Sequence, residues 1–304
     1  MNGELHKWND AKIHVLTHAL HYGTGIFEGI RCFRTEDGPA VFRLREHISR
    51  LFDSAKIYMM EIPFTFNELS DAVKQTVAVN NLQECYIRPI AYYSYGEMGV
   101  NPLPNKIDVA IAAWRWDTYL GKEAEERGVR CQISSWRRIN PSILPPQAKA
   151  TANYANGSLA KIEAIKAGYD EAIMLNMDNV VAEATGENIF RIKDGILSTP
   201  PASDGALRGI TRDTVIQIAG DMGMLFRRNT ISREELYTSD EVLLTGTAAG
   251  VTPVREVDGR GIGTGKWPFA QKIRQAYSDI IHGRNEKYGS WLDLVEPRRM
   301  EVRV

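Results

Sequence analysis

Gln147-Ala-Lys149-Ala-Thr-Ala-Asn-Tyr154 and Ala182-Glu183-Ala-Thr-Gly-Glu-Asn-Ile-Phe190 decide how this chain reads, and the glutamate follows the lysine by 34 residues. Lys149 stands among Ala148, Ala150 and Ala152 and ahead of an amphipathic run. Small neighbours leave an amine room to react as a nucleophile, so Lys149 is a candidate Schiff-base lysine. Glu183 begins a strand-like stretch and could hold a heterocyclic nitrogen protonated. Taken alone, each has a blander reading, a solvated lysine and a surface glutamate, and spacing does not choose between them.

The pattern on either side sets a two-part organisation. Arg45 to Met59 puts Ile48, Leu51, Phe52 and Ala55 on one face, as a helix requires. Thr65-Phe-Asn-Glu68 is a capping-box sequence, and the helix it opens turns Leu69, Val73 and Val77 inward. Ala40 to Phe42, Tyr86 to Tyr95 and Ile107 to Trp116 read as strands. Beyond Gly128 strands and helices alternate: strands at Cys131–Trp136, Glu171–Leu175, Asn179–Glu183, Asn188–Ile192 and Glu241–Thr245, helices at Ala155–Ala167, Thr211–Met222 and Pro268–His282. Asp194-Gly195 between apolar stretches is a hairpin signal. The expectation is a mixed α/β, two-domain α+β protein: a small α/β domain over 1–115, an interdomain loop over 116–128 and a larger domain over 129–304.

Bulk properties exclude several classes. At 304 residues, with 43% apolar and 25% charged residues, the chain has enough apolar sequence for two cores. A net charge of −1 without blocks of like charge argues against nucleic acid or an anionic membrane as partner. Cys32, Cys85 and Cys131 are far apart in sequence and in no metal-ligand spacing, so they read as reduced thiols and no metal is expected. Met1–Asp10 lacks a signal peptide's apolar core, and no apolar run is long enough to span a bilayer. A cytoplasmic protein is expected.

The wording of the Lys149 and Glu183 segments resembles the fold-type IV pyridoxal 5'-phosphate (PLP) enzymes, in particular the branched-chain amino acid aminotransferases, and does so along nearly the whole chain. The resemblance implies PLP as cofactor, with Lys149 as its covalent anchor and general acid/base. Glu183 would hold the pyridine nitrogen, Tyr154 the phenolic oxygen, and Arg50, Ile210, Thr211 and Thr247 the phosphate. Ile210 and Thr211 also open a clear helix, whose N-terminus offers N–H donors and a positive dipole end. There are departures. Thr151-Ala152 and Glu183-Ala184 stand where relatives often have glycine as the second residue, and the short apolar strand usual before Asn2-Gly3 is not expected here.

For the substrate, Tyr86 and Arg88 share a strand face, and in the resembled family this pair lines the pocket. Tyr22, Phe27 and Arg31 come from His18-Ala-Leu-His-Tyr-Gly-Thr-Gly-Ile-Phe-Glu-Gly-Ile-Arg31, and Trp116 and Tyr119 match aromatics of the family's interdomain loop. The small-residue turn Gly246-Thr247-Ala248-Ala249-Gly250 could turn backbone N–H groups toward an anion. Leucine, isoleucine and valine need an apolar pocket that glutamate must also enter, and aromatic walls with an arginine at the rim answer both needs. The reading is therefore reversible amino transfer between branched-chain L-amino acids and 2-oxoglutarate, by a homodimer or higher homo-oligomer. A D-amino acid aminotransferase, an aminodeoxychorismate-lyase-like enzyme and a non-catalytic relative are the alternatives. Tyr86-Ile-Arg88 and the intact Lys149, Glu183 and Tyr154 set weigh against them.

Overall fold

The computed structural model describes residues 1–116 and 127–296. Tyr119 and most of the expected 116–128 connection lie outside them. The chain forms two compact units that are not continuous in sequence: Met1–Trp116, Ala148–Ala152 and the described residues from Asp279 on make the first, and the other described residues the second.

The first unit is an antiparallel sheet with helices on it. Its strands are β1 (Gly25–Phe27), β2 (Ile30–Thr35), β3 (Gly38–Phe42), β4 (Cys85–Tyr93), β5 (Ile107–Trp114) and a late strand Leu292–Leu294. β4 is central: β5 pairs along one edge, and β1 and β2 follow each other along the other. The helix Leu44–Ile57 buries Leu44, His47, Ile48, Leu51, Ser54 and Ala55. Phe66–Val79 buries Leu69, Val73 and Val77 and starts at the expected box, in which Thr65 accepts from Glu68 N–H and the Glu68 carboxylate accepts in return. Ala148 and Ala150, beside Lys149, are part of this unit's apolar core.

Register also brings two of the sequence-distant cysteines together. Cys32 on β2 faces Cys85 on β4, both buried and both free. A separation of 53 residues in sequence conceals this, because only the pairing of the strands makes them neighbours.

The second unit is a mixed sheet. Its strands are β6 (Val129–Ile133), β7 (Glu171–Leu175), β8 (Val181–Ala184), β9 (Asn188–Lys193), β10 (Ile196–Thr199), β11 (Leu225–Arg228), β12 (Glu241–Gly246) and β13 (Gly250–Val257). They lie in the order β11-β10-β9-β12-β13-β6-β7-β8, with β14 (Arg260–Gly261) beside β13. The Asp194-Gly195 turn joins β9 to β10 with both residues at positive φ, as a tight hairpin asks. β8 starts at Val181 instead of Asn179, because Asn179 sits in a left-handed turn at φ 62°. β6 likewise ends at Ile133, and Trp136 falls beyond it. Among the described residues no helix is long and apolar enough to cross a membrane.

Candidate active site

In the first unit, the peptide of Lys149 is fixed before its side chain is considered. Its carbonyl accepts from Phe27 N–H at 2.9 Å, its N–H donates to Ser54 Oγ at 3.0 Å, and Ala150 bridges Ile26. This seating needs small residues. A Cβ on Gly23 would stand 2.9 Å from that of Ala152, and one on Gly25 only 3.2 Å from the Thr151 side chain. Lys149 Nζ lies 5.0 Å from the centre of the Phe27 ring, and the Arg88 guanidinium lies 4.6 Å from the same ring. Arg88 Nη2 donates to the Tyr86 hydroxyl at 3.0 Å. Tyr86 in turn packs against Trp114 and Trp116, at 5.1 and 4.5 Å between ring centres. Arg31 lies over Phe33, and its buried Nε, like that of Arg88, has no acceptor among the described residues. Tyr22 ends the short helix His18–Tyr22, exposed and 4.5 Å from the His18 ring.

Behind Lys149 is a buried ionic group that the sequence reading missed. Glu28, wholly buried, accepts from Arg50 Nε at 2.7 Å and Nη2 at 2.8 Å, and lies 2.7 Å from His47 Nδ1. Burial pushes the Glu28 carboxyl up, but Arg50 and His47 together outweigh it and hold it well below the usual carboxylate range. Burial lowers His47 despite Glu28, and the charges of Arg50 and Lys149 lower it further. A usable signal was present: His47, Arg50 and Ser54 recur at three- and four-residue spacing on the helix face that carries Leu51.

The second unit holds the other candidates. Glu183 is buried on β8 with both oxygens engaged: Oε1 with Arg138 Nη2 at 2.7 Å, and Oε2 with Asn188 Nδ2 at 3.1 Å and Leu207 N–H at 2.9 Å. Arg138 and Asn188 were not singled out in the sequence. Asn188 lies in the quoted Glu183 segment, but Arg138 stands in a stretch with no motif of its own. The helix Ile210–Asp221 starts at Gly209 without a side-chain cap and buries Ile210 and Thr211 in its first turn. At 209 a Cβ would fall 1.9 Å from Asn188 Oδ1, so any larger residue would displace an amide that donates to Glu183 and to Leu207 O. Tyr154 is half-buried on the helix Thr151–Lys166. Thr247, Ala248 and Ala249 form the turn between β12 and β13, and their N–H groups meet no acceptor among the described residues.

This donor chemistry fits PLP. Three free backbone N–H groups in one tight turn, an uncapped helix start and a carboxylate oriented by three donors match an anionic group and a basic ring nitrogen. Lys149, Phe27, Arg31, Arg50, Tyr86, Arg88 and Trp116 belong to the first unit, and Tyr154, Glu183, Ile210, Thr211, Thr247, Ala248 and Ala249 to the second.

Comparison with known proteins points the same way. The model of the amino-transferase class IV family matches residues 25–257. The branched-chain-amino-acid aminotransferase of Escherichia coli (strain K12) is 47% identical, over 97% of this chain and 96% of its own length. A crystal structure of the Escherichia coli branched-chain amino acid aminotransferase superposes with TM-score 0.95 at 47% identity, covering 97% of this chain and 98% of that one. The T.th. branched-chain amino acid aminotransferase with pyridoxamine 5'-phosphate gives TM-score 0.94 at 47% identity and 97% coverage of both chains.

Proposed function

This chain belongs to the amino-transferase class IV family and has the fold-type IV architecture, and from that we propose that it is a PLP-dependent transaminase of branched-chain amino acids. It exchanges the amino group of L-leucine, L-isoleucine or L-valine with 2-oxoglutarate, giving branched 2-oxo acids and L-glutamate. The observation that carries the reading is the seating of Lys149. Its peptide is held by β1 and by Ser54, while its amine is left beside Phe27 and the Arg88–Tyr86 pair.

Arg50, Ile210, Thr211 and Thr247 would hold the cofactor phosphate, Glu183 the pyridine nitrogen, and Tyr154 the phenolic oxygen. Bound PLP supplies an electron-withdrawing ring that acidifies the Cα–H of the attached amino acid. Lys149 Nζ takes that proton, and in the reverse half-reaction returns one to Cα, so one amine serves as base and acid. The free N–H groups of Thr247, Ala248 and Ala249 receive the α-carboxylate. Tyr22, Phe27, Tyr86, Trp116 and Tyr119 form apolar walls, while Arg31 and Arg88 meet the second carboxylate of glutamate. The buried, unsatisfied Nε atoms of Arg31 and Arg88 support this, since an unpaired donor gains most from an entering acceptor.

A homodimer or larger homo-oligomer in the cytoplasm completes the proposal, and three free thiols suit a reducing compartment. The test is single-turnover absorbance of PLP-loaded protein with L-leucine, L-glutamate and D-alanine, beside Lys149→Ala. Loss of the cofactor's visible band with both L-amino acids, absent in the variant, is expected. A response to D-alanine alone would transfer the enzyme to the D-amino acid transaminases.

A further inference from the structure

Glu187 is nearly fully buried, at 4% exposure, and has no part in the reaction just described. Register fixes its place. β9 and β12 run antiparallel with Asn188 opposite Thr245, so the preceding residue comes opposite Gly246. A Cβ on Gly246 would stand 3.3 Å from Glu187 Cγ, so this side chain packs directly against the foot of the Gly246–Gly250 turn. Its carboxyl accepts from Gly186 N–H at 3.1 Å.

The charges that bear on Glu187 are Glu171 on β7, Lys161 on the helix Thr151–Lys166, and Glu183 on β8. Each of these has a partner. Lys161 Nζ lies 2.6 Å from Glu171 Oε2, and Glu183 is paired with Arg138. Glu187 has no ion-pair partner among the described residues, and the turn it supports, Thr247-Ala-Ala249 between glycines, has no ionisable side chain. Burial, with the Glu171 carboxylate added, pushes Glu187 up to about 8 against the opposing pull of Lys161.

We propose that Glu187 is a charge-setting, positioning residue for the substrate-carboxylate turn: its uncharged acid lets the turn receive a carboxylate, and its anion repels one. The inference rests on the proposed use of that turn for the substrate's α-carboxylate. Below the transition the three free N–H groups face an anion with no competing charge beneath them. Above it a second negative charge lies behind the same glycine, in surroundings that screen it poorly.

The test uses the holoenzyme and 4-methylvalerate, a branched carboxylate without an amine, with Kd measured by calorimetry at about pH 7 and about pH 9.5. Wild-type protein is expected to bind about tenfold more weakly at the higher pH. Glu187→Gln is expected to lose most of that rise whatever its affinity at neutral pH, and Glu187→Met is a second uncharged replacement should the amide fail to fold. Steady-state turnover of L-leucine reads the same effect as an alkaline rise in KM that the substitution removes, with the pH profile of kcat unmoved. An equal rise of Kd in wild type and variants overturns the proposal while leaving the transaminase reading intact. Absence of 4-methylvalerate binding to wild type at both pH values removes the carboxylate turn, and this inference with it.

Discussion

Both carboxylate oxygens of buried Glu28 accept from the Arg50 guanidinium, Nε at 2.7 Å from Oε1 and Nη2 at 2.8 Å from Oε2. A two-pronged pair fixes the plane of the guanidinium as well as its place. The arginine proposed to bind the cofactor phosphate is therefore set in advance by a wholly buried acid. Glu28→Gln cannot accept at both positions and leaves Arg50 partly unpaired in a buried setting. The expected result is a loss of about 3 kcal/mol in denaturant stability of the cofactor-free protein, with a PLP half-saturation concentration raised about tenfold. Because folding holds the Glu28 carboxyl below its usual range, its stabilisation is complete above the unfolded-state value, about pH 4.3, and is lost as the pH falls through the folded one. Melting curves of wild type and variant should therefore stay apart from neutrality down to about pH 4.3 and converge only well below it. Unchanged stability and cofactor affinity together would refute this account.

Arg138 does for Glu183 what Glu28 does for Arg50. Its Nη2 lies 2.7 Å from Glu183 Oε1, and Nε reaches Gly205 O at 3.3 Å. Arg138→Met removes the only cation paired with this buried carboxylate among the described residues. Breaking a buried pair from one side costs about 3 kcal/mol or more, and urea unfolding of the cofactor-free protein measures it. A second readout is the absorbance of bound PLP, whose pH dependence should change because the acid proposed to hold the ring nitrogen has lost its partner. A variant with wild-type stability and an unchanged spectrum would show Arg138 to be dispensable.

What could be read in the sequence followed from local rules. The Thr65–Glu68 capping box, the Asp194-Gly195 hairpin and the face carrying Ile48, Leu51 and Ala55 each depend on residues a few positions apart, and the fold has all three. Lys149 and Glu183 were singled out because their segments resemble a family, not because spacing required them. The supporting charges were not. Glu28 and Arg50 are 22 residues apart, and Arg138 and Glu183 are 45 apart, so only the folded arrangement makes them partners. The opposition of Cys32 and Cys85 was hidden for the same reason.

Gly29 is predicted to control the substrate side of the site through Tyr86. A Cβ at 29 would fall 2.0 Å from the Tyr86 hydroxyl and 2.9 Å from its Cζ, and the ring is packed against Trp114 and Trp116 and cannot simply withdraw. Gly29→Ala should therefore displace the hydroxyl that accepts from Arg88. KM for L-leucine and L-glutamate should rise about tenfold or more, while PLP affinity, proposed to rest on other residues, should stay near wild type. A variant that lost PLP instead would place Gly29 in cofactor binding.

The buried acid Glu187 leads to a prediction about stability that needs no cofactor or substrate. Its carboxyl is held up at about 8, against about 4.3 in an unfolded chain, so between these values the folded protein binds the extra proton. Stability from this group must then fall as the pH rises through that window, and level off on either side. His47 pulls the other way. Its folded value is lowered by burial, so its contribution grows as the pH rises toward the ordinary histidine value and is flat beyond it. The two separate cleanly between about pH 7 and pH 8, where His47 no longer changes. In that interval wild-type protein should lose melting temperature with rising pH, and Glu187→Gln should be flatter. Should both proteins instead follow parallel curves from about pH 5 to pH 9, the acid would be ionised throughout and its burial would have to be balanced by some other means.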